Sequence, residues 1–327
     1  HVHYYPTISL VSKSFRSLVA SPELYTRRSL LGCTEHCLYV VLSNRLYEFR
    51  RKANSKNPRL VAVGSLPLMP CHASYVAEGS KIYVVGGLYD QDIKLIDCIS
   101  HTVQTISRIP NLMSEEVASI IGGKIYIIGN CLCDDMVSWS GRVLVFDTVT
   151  QMWEPVMTKP DSVSGLMFDD VVMEDKIYLT NIESSFVYRP KENKWKLDKK
   201  LDSKVWEGAC VVDDVLYYYD VHHKGKLRAY DPKQRRWRIV KGLEDLNGYY
   251  GGKLALFYPK ERKEPCRKRT GNIKWAWETT VELWCAEIAL ERHQGGEIWG
   301  KVQWCDVVID DEKFSSENYV KCLAVTI

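Results

Sequence analysis

Lys-Ile-Tyr followed by an apolar run recurs along this chain: KIYVVGG from Lys81, KIYIIGN from Lys124 and KIYLTNI from Lys176. Weaker copies read VLYYYDV from Val215 and KLALFYP from Lys253, and CLYVVLS from Cys37 stands ahead of the series. Successive starts are 44, 43, 52, 39 and 38 residues apart. A recurring spacing of this size marks a repeat architecture, in which each unit buries its surface against its neighbours. Around every Lys-Ile-Tyr copy the pattern alternates as β-strands do. A β-rich run comes first: Ser74–Ala77, Ala118–Ile121, Asp170–Met173 and Ala209–Val212. A short turn of Gly, Asp, Glu or Ser follows, for example Gly122-Gly123 or Asp213-Asp214. After the Lys-Ile-Tyr strand comes a third run ending in an aromatic residue and Asp, as in VLVFD (143–147) and LRAYD (227–231). A fourth begins near Trp153, Trp195 or Trp237, six residues beyond Asp147, Arg189 and Asp231. The unit is four short antiparallel strands.

One such sheet leaves most of its apolar surface wet, whereas a radial set covers both faces of each member. The expected fold is therefore all-β, a six-bladed β-propeller with blades starting near residues 37, 80, 118, 170, 209 and 249. Ile and Tyr of each copy should point toward different neighbouring blades. The position held by Gly86, Gly129, Asn181 and Asp220 should share a left-handed backbone. The first blade lacks an innermost strand before Cys37, and the tail YVKCLAVTI (319–327) is expected to supply it, closing residues 32–327 into one domain.

Ahead of it, residues 5–31 read as two helices. Thr7 can cap the first, with Ile8, Val11, Phe15 and Leu18 on one face; Ser21-Pro22 opens the second.

Composition changes this picture little. Of 327 residues, 46% are hydrophobic and 26% charged, and no apolar run approaches the ~20 residues of a membrane span. No secretory signal opens the chain, and eleven cysteines without a framework spacing read as reduced thiols, so the expected location is the cytoplasm or nucleus. The net charge of +3 matches that of residues 1–31 alone, so the main body is balanced and gives no case for nucleic acid or membrane.

Candidate chemistry is sparse. No Gly-x-Ser-x-Gly elbow, Walker loop or His-Glu-x-x-His occurs. Cys33, His36 and Cys37 lack the second pair that a metal site needs, and Cys131, Cys133 and Asp134 read as a chance loop cluster. No catalytic, metal or cofactor residue is assigned. The basic run 260–269 reads as an exposed insertion loop; a localisation signal is the other reading. Recognition on such scaffolds belongs to the connections between second and third strands. Those connections place Trp139, His222, His223, Trp275 and Trp277 as candidate target contacts.

These units resemble kelch repeats, with Gly86-Gly87 keeping the full glycine pair. LVSKSFRSLVASPELY is similar to the C-terminal half of an F-box in the large plant F-box/kelch-repeat family, and CLYVVLS and EIWGKVQW also look like that family. The resemblance implies an F-box, incomplete at its N-terminal side, over residues 1–31. It further implies a non-enzymatic substrate-recognition subunit, joined through a Skp-type adaptor to a cullin ubiquitin ligase and holding an unknown protein target. Val11, Phe15 and Leu18 would contact the adaptor. An interaction scaffold without ligase docking is the alternative. A propeller redox enzyme is a third reading and would need Tyr and His ligands converging near the axis.

Overall fold

Tight turns in the left-handed region set the strand pattern. Glu174-Asp175, Asp213-Asp214 and Gly122-Gly123 carry φ between 51° and 76°, as two-residue hairpins require. The computed structural model describes residues 5–19, 21–42, 44–51, 58–88, 90–132, 139–160, 163, 167–181, 183–204, 206–220, 226–243, 254–270, 272–293, 295–309 and 320–326.

Three helices come first: α1 (Tyr5–Ser9), α2 (Lys13–Val19) and α3 (Pro22–Leu30). The expected single first helix is broken at Leu10 and Val11, because Ser12 starts a new one: its Oγ accepts the backbone N–H of Phe15 at 3.2 Å. Thr7 therefore lies inside α1, not at its start. Ser21-Pro22 opens α3 as the residues imply.

The strands follow in antiparallel sets. The first has β1 (His36–Leu42), β2 (Arg45–Arg51) and β3 (Pro58–Ala62). The second runs β4 (Ser74–Glu78), β5 (Lys81–Val85), β6 (Asp92–Asp97) and β7 (Thr102–Arg108). The third has β8 (Met113–Ile121), β9 (Lys124–Leu132) and β10 (Trp139–Asp147), with β11 (Met152–Trp153) and β12 (Met157–Thr158) both pairing β10. The fourth has β13 (Met167–Met173), β14 (Lys176–Asn181), β15 (Ser185–Arg189) and β16 (Lys194–Leu197). The fifth has β17 (Cys210–Val212), β18 (Val215–Asp220), β19 (Lys226–Asp231) and β20 (Arg236–Ile239). The sixth has β21 (Leu254–Thr270), β22 (Asn272–Arg292) and β23 (Ile298–Ile309). β24 (Val320–Thr326) joins the first sheet, in the order β24-β1-β2-β3.

This is an all-β fold of the propeller class. The expected six equal blades are not what the strands form. Five sheets have four or more strands, and β21-β22-β23 is a three-stranded sheet among the described residues. The run expected to begin that sheet, near residue 249, lies outside the described residues. Of the connection 258–279, expected as a loop and containing the basic run, residues 258–270 and 272–279 are strand. β21 and β22 pair from Leu254↔Ile288 out to Thr270↔Asn272.

The chain divides into two compact units, residues 1–205 with 321–327 and residues 206–320. In the first, alternation along each Lys-Ile-Tyr strand sends side chains into different cores. Ile82 and Val84 pack with Tyr39 and Val41, whereas Tyr83 and Val85 pack with Ile125 and Ile127. Ile128 in turn joins Ile177 and Leu179. The second unit has its own cluster of Val215, Tyr217, Leu227, Ala229, Val240 and Ile298.

The shared left-handed strand end is corrected by the backbone. Gly86 has φ of 61°, but Gly129, Asn181 and Asp220 do not enter that region. Gly129 continues β9 opposite Arg142, Asn181 closes a turn by accepting the N–H groups of Glu183 and Ser184, and Asp220 pairs with Arg228.

Candidate functional site

The helices present the largest run of unburied apolar side chains. Val11 is 69% exposed, Phe15 46% and Leu18 52%, and Leu10, Leu30 and Leu31 are also exposed. Exposed apolar side chains gathered in one segment of this kind mark a contact site. The same helical segment is anchored through other residues. Tyr25 packs against the first sheet's core and donates its hydroxyl to the Val19 carbonyl at 2.8 Å. Tyr5 meets Tyr25 edge-on at 6.1 Å, and Arg28 donates to the Tyr5 hydroxyl at 2.7 Å and to the Cys33 carbonyl at 2.8 Å. Arg28 also pairs with Glu35 at 3.0 Å. Burial pushes the Tyr25 hydroxyl up to about 12, so it remains a hydrogen-bond donor at neutral pH. Sequence reasoning picked the exposed set and missed these anchors; the available signal was Arg28 in the last turn of a helix leading directly into a strand.

A second polar constellation lies on the innermost strands of the first unit. Ser119 of β8 donates to the Asp170 carboxylate of β13, and Lys321 of β24 lies 3.8 Å from Asp169. Glu116 accepts the Gly87 N–H at 3.4 Å, and the Ser74 hydroxyl donates to the Glu116 carbonyl at 3.2 Å. Burial pushes the Asp170 carboxyl up to about 6, opposed by the Lys321 charge and reinforced by Asp169. Burial likewise raises Glu116. Among the described residues no group of His, Cys, Asp and Glu has metal-binding geometry. These contacts join one sheet to another, which is structural work.

The candidate target contacts are dispersed. Trp139 is the first residue of β10, opposite Leu132, so it ends a strand pair instead of sitting in mid-loop. Trp275 and Trp277 lie in β22, opposite Arg267 and Pro265, and are also strand residues, because the hairpin extends past the expected loop. His222 and His223 lie outside the described residues. Nine cysteines are free thiols among the described residues, Cys33 and Cys37 included. No helix among them is long and apolar enough to cross a membrane.

Comparison with known proteins agrees with this arrangement. The FKB95, Kelch-repeats domain model matches residues 41–309. F-box/kelch-repeat protein At4g38940 of Arabidopsis thaliana is 43% identical over 354 residues, covering 99% of this chain and 90% of that protein. F-box/kelch-repeat protein At4g39240 of the same plant is 36% identical, covering 99% of this chain and 86% of that protein.

Proposed function

Since the chain belongs to the F-box/kelch-repeat protein family, we propose that it is the target-recognition subunit of a Skp–cullin–F-box ubiquitin ligase. Residues 1–31 would dock the Skp-type adaptor, and residues 32–327 would hold the target. The observation that carries the reading is the exposure of Val11, Phe15 and Leu18 in a helical segment whose Tyr25 packs against the core of the first sheet. A helical segment that is anchored to a core and keeps apolar side chains exposed fits helix-mediated docking. The role is one of proximity and orientation, with transfer chemistry carried by other subunits, in the cytoplasm or nucleus. Target contacts would involve Trp139, His222, His223, Trp275 and Trp277.

Co-expression with a Skp-type adaptor tests the docking step. The chain should co-purify, and Phe15→Glu with Leu18→Glu should reduce capture by roughly tenfold or more, a charge placed in an apolar contact being strongly unfavourable. Both positions are exposed, so thermal melting should stay near that of the parent. Failure of the parent chain to co-purify would overturn the reading.

A further inference from the structure

The hairpin of β21 and β22 has two parts. From Leu283 to Arg292, β22 also pairs with β23. Ahead of Leu283 it pairs only with β21 among the described strands, out to Thr270↔Asn272. At about 3.4 Å per residue, this two-stranded ribbon is roughly 35 Å long. Two strands alone are marginal in water, so the ribbon gains little from its own packing.

Its charge is unevenly placed. Residues 260–264 and 278–282 together hold three cations and four acids. The distal part, 265–277, holds Arg267, Lys268, Arg269 and Lys274 and no acid. Lys268 is opposed to Lys274 in the register, and like charges so placed are destabilising. The other like pair, Glu264↔Glu278, has Arg262 and Lys263 near it in sequence, whereas Lys268 is flanked by Arg267 and Arg269. Four cations without an acid require water or a partner's carboxylates around them. The register also sorts these residues. Opposed positions share a face of an antiparallel pair, and successive positions alternate between faces. Pro265↔Trp277, Arg267↔Trp275 and Arg269↔Ile273 therefore fall on one face. That face combines two Trp with two Arg, residue types that dominate binding energy at protein interfaces.

We propose that the Trp-bearing face of the ribbon's distal part, residues 265–277, binds an acidic segment of a partner protein that also carries an aromatic or apolar side chain. Carboxylates answer Arg267 and Arg269, and the apolar side chain answers Trp275 and Trp277. Lys268 and Lys274, on the other face, add to the same attractive field, since they lie within a Debye length of about 10 Å. A nucleic-acid backbone is charged at every step and gains affinity from many phosphate contacts. The all-cationic stretch of β21 and β22 spans only about 17 Å before acids appear, which suits a short segment of mixed character. The inference deepens the receptor reading, and rests on it in taking the segment to belong to a target.

The probe is a fluorescein-labelled peptide, Gly-Asp-Glu-Phe-Asp-Glu-Gly, titrated by anisotropy against the whole purified chain. Saturable binding is expected, weakened roughly 10–100-fold by Arg267→Glu with Arg269→Glu, as for charge pairs reversed across an interface. Lys268→Glu separates binding from folding and keeps the test valid if the double variant misfolds. It turns an opposed like pair into an opposite one, so the melting temperature should hold or rise while peptide affinity falls several-fold. Trp275→Ala should weaken the Phe peptide by roughly tenfold, yet change little for the same peptide with Ala in place of Phe. Absence of saturable binding, undiminished binding by Lys268→Glu, or an equal loss for both peptides in Trp275→Ala would overturn the proposal. So would equal or tighter binding of a single-stranded oligonucleotide or an anionic phospholipid vesicle. Adaptor co-purification is a separate readout. A chain that docks the adaptor and ignores the peptide overturns the ribbon site and spares the receptor reading; the reverse result does the opposite.

Discussion

The second and third sheets meet differently from the third and fourth, although the same residue types recur at both junctions. At the outer end of the first junction, the Trp153 indole N–H donates to the Ser107 hydroxyl at 3.1 Å, while its ring packs on Phe146 at 5.1 Å. At the second, Trp195 stacks on Tyr188 at 4.5 Å, but its buried indole N–H has no acceptor among the described residues. The neighbouring Tyr188 hydroxyl donates to Asn193 Oδ1 at 3.1 Å, with the Met157 thioether at a longer 3.5 Å. The inner ends differ too. The first is tied through the Glu116 backbone and the second through the Asp170 carboxylate. Aromatic packing is what the repeat keeps, and polar satisfaction is solved junction by junction.

Removing the rings tests the shared part. Trp153→Ala and Trp195→Ala should each cost about 2–4 kcal/mol, since both are half-buried and fall below the full core range. Comparable losses in denaturant unfolding are expected at the two sites; a much smaller loss at Trp195 would show that its stack contributes little.

The inner ends should separate by pH. The folded pKa of Asp170, about 6, exceeds its ordinary value of 3.8, so the folded state holds this proton more tightly than the unfolded chain. The favourable contribution is present at low pH and is lost as pH rises between these two values. Its size is ~1–3 kcal/mol, from the energy equivalent of a pKa shift. Melting temperatures of Asp170→Asn should lack this decline relative to the parent; parallel pH profiles would refute the assignment.

Phe substitutions isolate the indole N–H. Trp153→Phe should be destabilising by about 1 kcal/mol more than Trp195→Phe, because only the former loses a made hydrogen bond. Ser107→Ala should add little in the Trp153→Phe background, as a double-mutant cycle would show. Smallest of all, Glu78→Gln should cost under ~0.5 kcal/mol, because the amide oxygen can still accept the Gly123 N–H now bonded at 3.0 Å.

Much of the fold was legible because short-range chemistry enforces it. The aromatic-Asp signature is a turn: Asp147 Oδ1 accepts the N–H groups of Val149 and Thr150, and Asp231 Oδ1 those of Lys233 and Gln234. Asp97 does the same for Ile99 and Ser100. Where Arg189 replaces Asp, a short 3-10 turn at Pro190–Glu192 ending in left-handed Asn193 spans the same six residues to Trp195. The strand-end comparison failed because Gly129, Asn181 and Asp220 solve separate local problems, so similar tolerance did not mean similar conformation. The long β21–β22 hairpin was missed because basic and acidic residues mask strand character when periodicity is the only guide. The helix anchors were illegible for another reason. Tyr5 and Arg28 meet across 23 positions, and such a contact leaves no periodic trace.

The position of β24 has a consequence for synthesis. Its Thr326 N–H bonds the Gly79 carbonyl at 2.8 Å, and its hydroxyl lies 3.3 Å from His36. β1 must therefore wait with an open flank while nearly three hundred further residues emerge before β24 can pair with it. A newborn chain is most vulnerable to mispairing along that flank, and chaperone engagement during translation should centre there.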